Sequence, residues 1–386
     1  MIRKYAEKLV AAGFADAGAP LMGALDAELV WNREDPARRL LTEVFAGLNI
    51  QSLLFCRPAE PYRTVIDYLA GTSDGTIFPE DTETRTFFHD LPVANAFAAD
   101  KVIAALKERK CVIVPGQGVV TFGMVSPEQA FITFCSVCFC AFVKFFADFS
   151  RSVRRKDVKE QQEAAFRRAV AHLAPPLATP PPLKKGPFSS GDEVLSAMAE
   201  AGRATVTSHL VDSYFGNISC LLGKVLYVSQ TGSSLDELEG CIDAVPLDGS
   251  SCAGITASSE FSAHRQIVLY TGRHVVLHGH PRFSVILSLD CDRQDCPERG
   301  FCHIRCPESR FAVGVQIVPG EIGTGRYGLS RTVPPALQDH RGVIVYGHGV
   351  FTAGREDFNG AFGELLAIEN ACREEYFRRI DRLDAR

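Results

Sequence analysis

Residues 343–354 read VIVYGHGVFTAG, and residues 112–123 read VIVPGQGVVTFG. The two stretches agree at eight of twelve positions at an offset of 231 residues, and the likeness continues with Ala130-Phe131 against Ala361-Phe362. Each reads as a β-branched strand, a glycine-rich turn and the start of a helix. Two unrelated strand–turn–helix units could share residues this common, but a duplicated fold also accounts for the continuation beyond the turn. A chain of 386 residues has room for two such copies at ~100–200 residues per domain.

The copies differ where chemistry would sit. The second turn carries His348, and the same place in the first holds Gln117. The helix after the second turn, Phe362–Ile380, is amphipathic, whereas its counterpart FITFCSVCFCAFVKFF is apolar nearly all round and is expected to be buried on every side. Cys135, Cys138 and Cys140 in it read as small core residues rather than a redox or metal set, because nothing polar accompanies them. The longest apolar stretch, Phe131–Val143, is shorter than the ~20 residues of a membrane helix, so no membrane partner is expected.

Between the copies, APPLATPPPLKKGPFSS (174–190) reads as an extended proline-rich linker joining a domain over 1–173 to one over 191–386. Arg154–Leu173 reads as one mostly solvated helix, and Asp192–Ser213 has apolar residues at helical spacing. Cys220–Gly232 and Arg273–His280 read as strands, so the fold class is α/β. An apolar share of 46% against 23% charged residues excludes a disordered chain. The net charge of −5 gives no reason to expect nucleic acid. With no export signal visible at the start, a cytoplasmic protein is expected, and its 13 cysteines should be reduced or metal-bound.

His278-Gly279-His280 ends a strand-like run, where residues i and i+2 share a face and both imidazoles can reach one cation. Stacked or hydrogen-bonded histidines would look the same. His348 is the third candidate; three histidines leave a coordination position open, the pattern of a catalytic zinc site. Upstream, Ser258-Ser259-Glu260 precedes a helical pattern, where serines can cap the helix and its N–H groups can hold an anion. Gly216-Asn217-Ile218-Ser219 and Thr231-Gly232-Ser233-Ser234 offer similar polar loops.

These motifs, in this order over about residues 190–380, resemble the class II aldolase/adducin family. The resemblance implies an α/β/α sandwich around a mainly antiparallel sheet, here in tandem. It implies zinc on His278, His280 and His348, an acid/base Glu260, and phosphate held by Asn217, Thr231, Gly232, Ser258 and Ser259. The reaction it implies is retro-aldol cleavage, or a related epimerisation, on a small phosphorylated sugar through a metal-stabilised enediolate. It further implies a homo-oligomer, either a tetramer or a dimer of two-domain chains forming a pseudo-tetramer. Adducin-type members keep the fold as interaction modules, which is the alternative reading.

Two features depart from the family. The first half has LLFCRPAEP (53–61) where the histidine pair would fall, so it is expected to be a degenerate copy without catalytic zinc. The second half carries CDRQDCPERGFCHIRC (291–306), whose Cys291, Cys296, Cys302 and Cys306 could hold a structural zinc or, as the lesser option, an iron–sulfur cluster. His303 could replace one thiolate, and a redox or metal sensor built on this segment is a third functional reading.

Overall fold

The computed structural model describes residues 1–212, 214–293, 295–321 and 325–384. The chain divides into two units, Met1–Ala174 and Pro175–Arg386. Unit 1 begins α1 (Ile2–Ala11), β1 (Leu21–Leu25), β2 (Leu29–Trp31), α2 (Arg38–Gly47), β3 (Ser52–Cys56) and α3 (Tyr62–Thr72). It continues with β4 (Thr76–Ile77), α4 (Thr82–Phe88), β5 (Leu91–Pro92), α5 (Ala99–Glu108), β6 (Cys111–Val114), β7 (Gly118–Gly123), α6 (Pro127–Arg155) and α7 (Glu160–Ala171). Its main sheet has the order β2-β1-β3-β7-β6, with every pair antiparallel.

Unit 2 begins α8 (Gly191–Thr207), β8 (Asn217–Leu222), β9 (Val225–Ser229), β10 (Ile242–Pro246), α9 (Phe261–Thr271), β11 (Val275–Gly279) and α10 (Arg282–Leu289). It ends β12 (Arg310–Ala312), β13 (Val315–Val318), α11 (Leu329–Gln338), β14 (Gly342–Val345), β15 (Gly349–Gly354) and α12 (Phe358–Asp384). The sheet order is β10-β9-β8-β11-β15-β14-β13-β12, antiparallel except for the β13–β14 pair. Five neighbouring strands, β9-β8-β11-β15-β14, repeat the order of the unit 1 sheet, and in both units a helix lies before the first of them in the chain, between the second and third, and after the last.

Both faces of the unit 2 sheet are covered, which is why β11 and β14 are buried at every position. Val343 and Val345 pack with Ile267 of α9 and Val333 of α11, while Gly342, on the opposite pleat, faces Ile368 of α12. The result is an α/β/α sandwich around a mainly antiparallel sheet.

Four local expectations are revised. Cys220–Gly232 is a hairpin of β8 and β9 that turns at Gly223-Lys224, not one strand. Arg154–Leu173 is not one helix, because Lys156 takes a left-handed conformation (φ 59°) and ends α6 before α7 begins. α7 is also not simply solvated: it buries Gln162, Phe166 and Ala169, with the Phe166 ring stacked 3.7 Å from Phe149. α8 ends at Thr207, short of Ser213, which lies outside the described residues. The proline-rich stretch has neither helix nor strand, but it is pinned to α12 within unit 2: Asn359 bonds both the N–H and the C=O of Leu183, and Asn370 reaches the carbonyl of Leu177.

α6 runs 29 residues, more than double the apolar stretch legible in sequence, and by length and composition it could cross a membrane. Its apolar side chains instead fill the core of unit 1, where Phe142 stacks on Phe146 at 4.4 Å and meets Tyr62 of α3. Replacing Phe142 by alanine is expected to cost unit 1 about 3–5 kcal/mol of unfolding free energy, measured by denaturant titration.

Candidate metal centre

The site forms where β11 meets the turn before β15. Val276 and His278 lie on the α9/α11 face of β11, and His278 pairs across the ladder with Phe351, whose ring stacks on the imidazole at 3.9 Å. The chain leaves β11 at Gly279, places His280 one step beyond, and returns through Gly347 (φ 61°) to set His348 opposite. Gly349 makes this approach possible. A Cβ there would meet the Gly279 carbonyl at 2.4 Å and the His278 and His280 rings at 2.9 and 3.1 Å.

All three imidazoles are buried, and they aim their Nε2 atoms at one point: His278 lies 3.0 Å from His280 and 3.2 Å from His348. Nδ1 of His278 faces the Val350 carbonyl at 3.0 Å and so must carry the proton there, which leaves Nε2 with a lone pair. Four-coordinate nitrogens bound at 2.0–2.1 Å stand about 3.3 Å apart, close to these separations. Burial also pushes the His278 imidazole down to about 4 and His280 well below the ordinary histidine range, so both are neutral and able to ligate. The donor set therefore fits a divalent cation. Among the described residues this triad is the one group of three or more such side chains with ligand atoms within 4.8 Å of one another.

Glu260 closes the open side. Its Oε1 lies 3.1 Å from His348 Nε2 and its Oε2 3.4 Å from His278 Nε2. Burial alone would raise this carboxyl, but positive charge on His278 and His348 when they are protonated, together with the Asn217 amide facing it, holds it below the usual carboxylate range. Asn217 donates to Oε2 at 2.7 Å, its own Oδ1 bonds His264 Nε2, and His264 Nδ1 meets Ser219 Oγ at 2.7 Å. The chain has one consistent polarity: Ser219 O–H to Nδ1, Nε2–H to Asn217, and the amide N–H to the carboxylate. Burial keeps His264 neutral, at about 3, as this arrangement requires.

His264 was not evident from sequence motifs, although its spacing four residues after Glu260 places the two on one helix face. Glu369 of α12 was also missed. It accepts from the N–H groups of Phe283 and Ser284 at 2.8 and 2.9 Å, capping α10 just after His280.

The expected phosphate residues divide. Both donors of Thr231 are used internally, its N–H on the Thr256 carbonyl and its hydroxyl on Ala257, so it locks two loops together. The polar atoms of Asn217 hold Glu260 and His264. Gly232 (φ 71°) has open space around it, Ser259 is exposed, and Ser258 Oγ accepts from the Glu260 N–H at 3.2 Å. The four cysteines are half-buried around one small cavity and are not drawn together as the histidines are. One residue between them, Gln294, lies outside the described set.

Unit 1 has apolar or mismatched residues at the matching places. By register against the neighbouring strand, Phe55 and Arg57 stand where His278 and His280 do, Leu21 stands for Asn217, and Gln117 for His348. Ala37 precedes α2 as Glu260 precedes α9, and buried Leu41 takes the place of His264. The backbone of the turn is retained: a Cβ on Gly118 would meet the Cys56 carbonyl at 2.6 Å, as on Gly349 with Gly279.

An α/β/α sandwich with a buried histidine triad and an adjoining carboxylate defines the class of unit 2. Residues 196–376 match the Class II Aldolase and Adducin N-terminal domain, and unit 2 belongs to that family. No curated protein matches the chain. Among solved structures, the chain is similar to an L-fuculose-1-phosphate aldolase from Thermus thermophilus, at 22% identity over 49% of this chain and 96% of that one, TM-score 0.39. YgbL from Klebsiella pneumoniae is 21% identical over 49% and 91%, TM-score 0.39. A sugar-phosphate aldolase from Thermotoga maritima is 18% identical over 48% and 94%, TM-score 0.36.

Two outcomes are expected. Gly349→Ala should lower stability by about 1–3 kcal/mol and weaken metal binding, read by denaturant unfolding and metal titration. His264 holds a folded value of about 3 against 6.5 when unfolded, so the unfolded chain binds the extra proton in that window. Stability from this group is complete above pH 6.5 and falls as the pH drops towards 3. His264→Gln should flatten that part of a melting-temperature profile.

Proposed function

We propose that unit 2 is a zinc-dependent lyase that cleaves a small phosphorylated ketose or similar hydroxy-carbonyl compound by retro-aldol chemistry. The observation that carries this reading is the convergence of three buried imidazoles on one point beside a buried Glu260 held below the usual carboxylate range. Membership of the class II aldolase/adducin family supports it. When bound, the zinc ion supplies a Lewis acid for the oxygens of the substrate.

The chain's own residues do the rest. His278, His280 and His348 hold the ion, and the Val350 carbonyl fixes the tautomer of His278. Asn217 anchors Oε2 of Glu260, so Oε1 is the oxygen that takes and returns the proton. Ser219 and His264 orient Asn217 from behind. Ser258, Ser259 and Gly232, at the start of α9 and the facing loop, are the residues left to receive a phosphate with neutral donors.

The shared strand order supports reading unit 1 as a copy of the same fold that has lost its centre, with Phe55, Arg57 and Gln117 in place of the ligands. Its role is then structural.

His278→Ala is expected to lose the triad's metal. Glu260→Gln should retain it while turnover on a panel of phosphorylated ketoses drops about 10²–10⁴-fold. Wild-type protein with no metal at the triad and no turnover on the panel would instead favour an adducin-like interaction module.

A further inference from the structure

The segment between α10 and β12, residues 290–309, has no helix or strand among its described residues. Stretches of this length without secondary structure are uncommon inside a domain unless something else holds them. The segment's one aromatic side chain, Phe301, is 56% exposed. Short turns bind it locally, through Arg299 N–H to Cys296, Phe301 N–H to Glu298 and Ile304 N–H to Phe301. The ion pairs Arg293–Glu308 and Arg305–Glu298 are surface pairs, which contribute little to stability.

All four cysteines of the segment line one cavity of about 60 Å³. Four arginines and two glutamates also line it, a balance of +2, which complements the −2 of a divalent ion bound by four thiolates. The cavity shares its wall with the metal turn. Arg310 donates to the carbonyls of Ser288 and Asp290, and its guanidinium lies 5.5 Å over the ring of Tyr346. Ser288 Oγ accepts from Gly347 N–H at 2.8 Å, and Tyr346 and Gly347 directly precede His348.

We propose that Cys291, Cys296, Cys302 and Cys306 close around this cavity to hold a second zinc ion, as four thiolates, and that this ion fixes the wall behind His348. On binding, each thiol releases its proton to solvent and no redox partner is needed. Zinc suits the set because it takes four sulfurs tetrahedrally at about 2.3 Å without redox chemistry. The site is independent of the proposed reaction.

The test is metal content of the full chain purified under reducing conditions, before and after an organomercurial, which displaces metal from thiolates and not from imidazoles. Two zinc ions per chain are expected, of which the organomercurial releases one. Cys302→Ser and Cys306→Ser should each retain one, and His278→Ala should retain the one that the organomercurial releases. If only the histidine ion is absent, all bound zinc is releasable, and the proposed lyase reading fails while this one stands. Zinc that no organomercurial releases would overturn the proposal. So would iron with acid-labile sulfide, or no metal together with four fewer titratable thiols; neither reading depends on the serine variants folding.

Discussion

The close backbone approach of Gly349 to Gly279 is the constraint on which the rest of unit 2 depends. It brings the turn before β15 against the end of β11 with no side chain between them. Three imidazoles from two segments seventy residues apart can then meet at 3.0–3.2 Å. Both faces of the sheet must be covered for these rings to be dry, and α9 covers the face on which His278 lies. The same helix begins at Glu260, so the element that excludes water also delivers the carboxylate.

Burying an ionised carboxylate is costly unless it is paired and hydrogen-bonded. Here Asn217, held by His264 and Ser219, donates to Oε2, which His278 also faces, while His348 faces Oε1. This relay reaches from β8 to α9 beneath the site, and its direction is fixed by the neutral state of His264. The site is thus supported by residues that carry no motif of their own.

Unit 1 has the same strand order without the histidine triad. Its turn has the same glycine approach at Gly118 and Cys56. Leu21, Ala37 and Leu41 stand at the positions that match Asn217, Glu260 and His264, so no buried polar groups need partners there. An apolar core of this kind is easier to stabilise than a half-satisfied polar network.

The sequence by itself determined the repeated strand–turn unit, the α/β class and the candidates His278, His280, His348 and Glu260. Their signals are local: β-branched runs, glycine turns, and histidines two apart on one strand. It did not disclose His264 or Glu369, whose roles depend on which helix faces which strand. The family resemblance implies that Asn217 and Thr231 belong with the phosphate donors; in the fold the Asn217 amide bonds Glu260 and the Thr231 hydroxyl bonds the Ala257 carbonyl. The hairpin at Gly223 was hidden because β-branched and apolar residues flank it on both sides, and the break at Lys156 because charged residues common in helices run through it. Only the tertiary structure decided these points, since the availability of a polar atom depends on what packs beside it, and neighbours distant in sequence leave no local pattern.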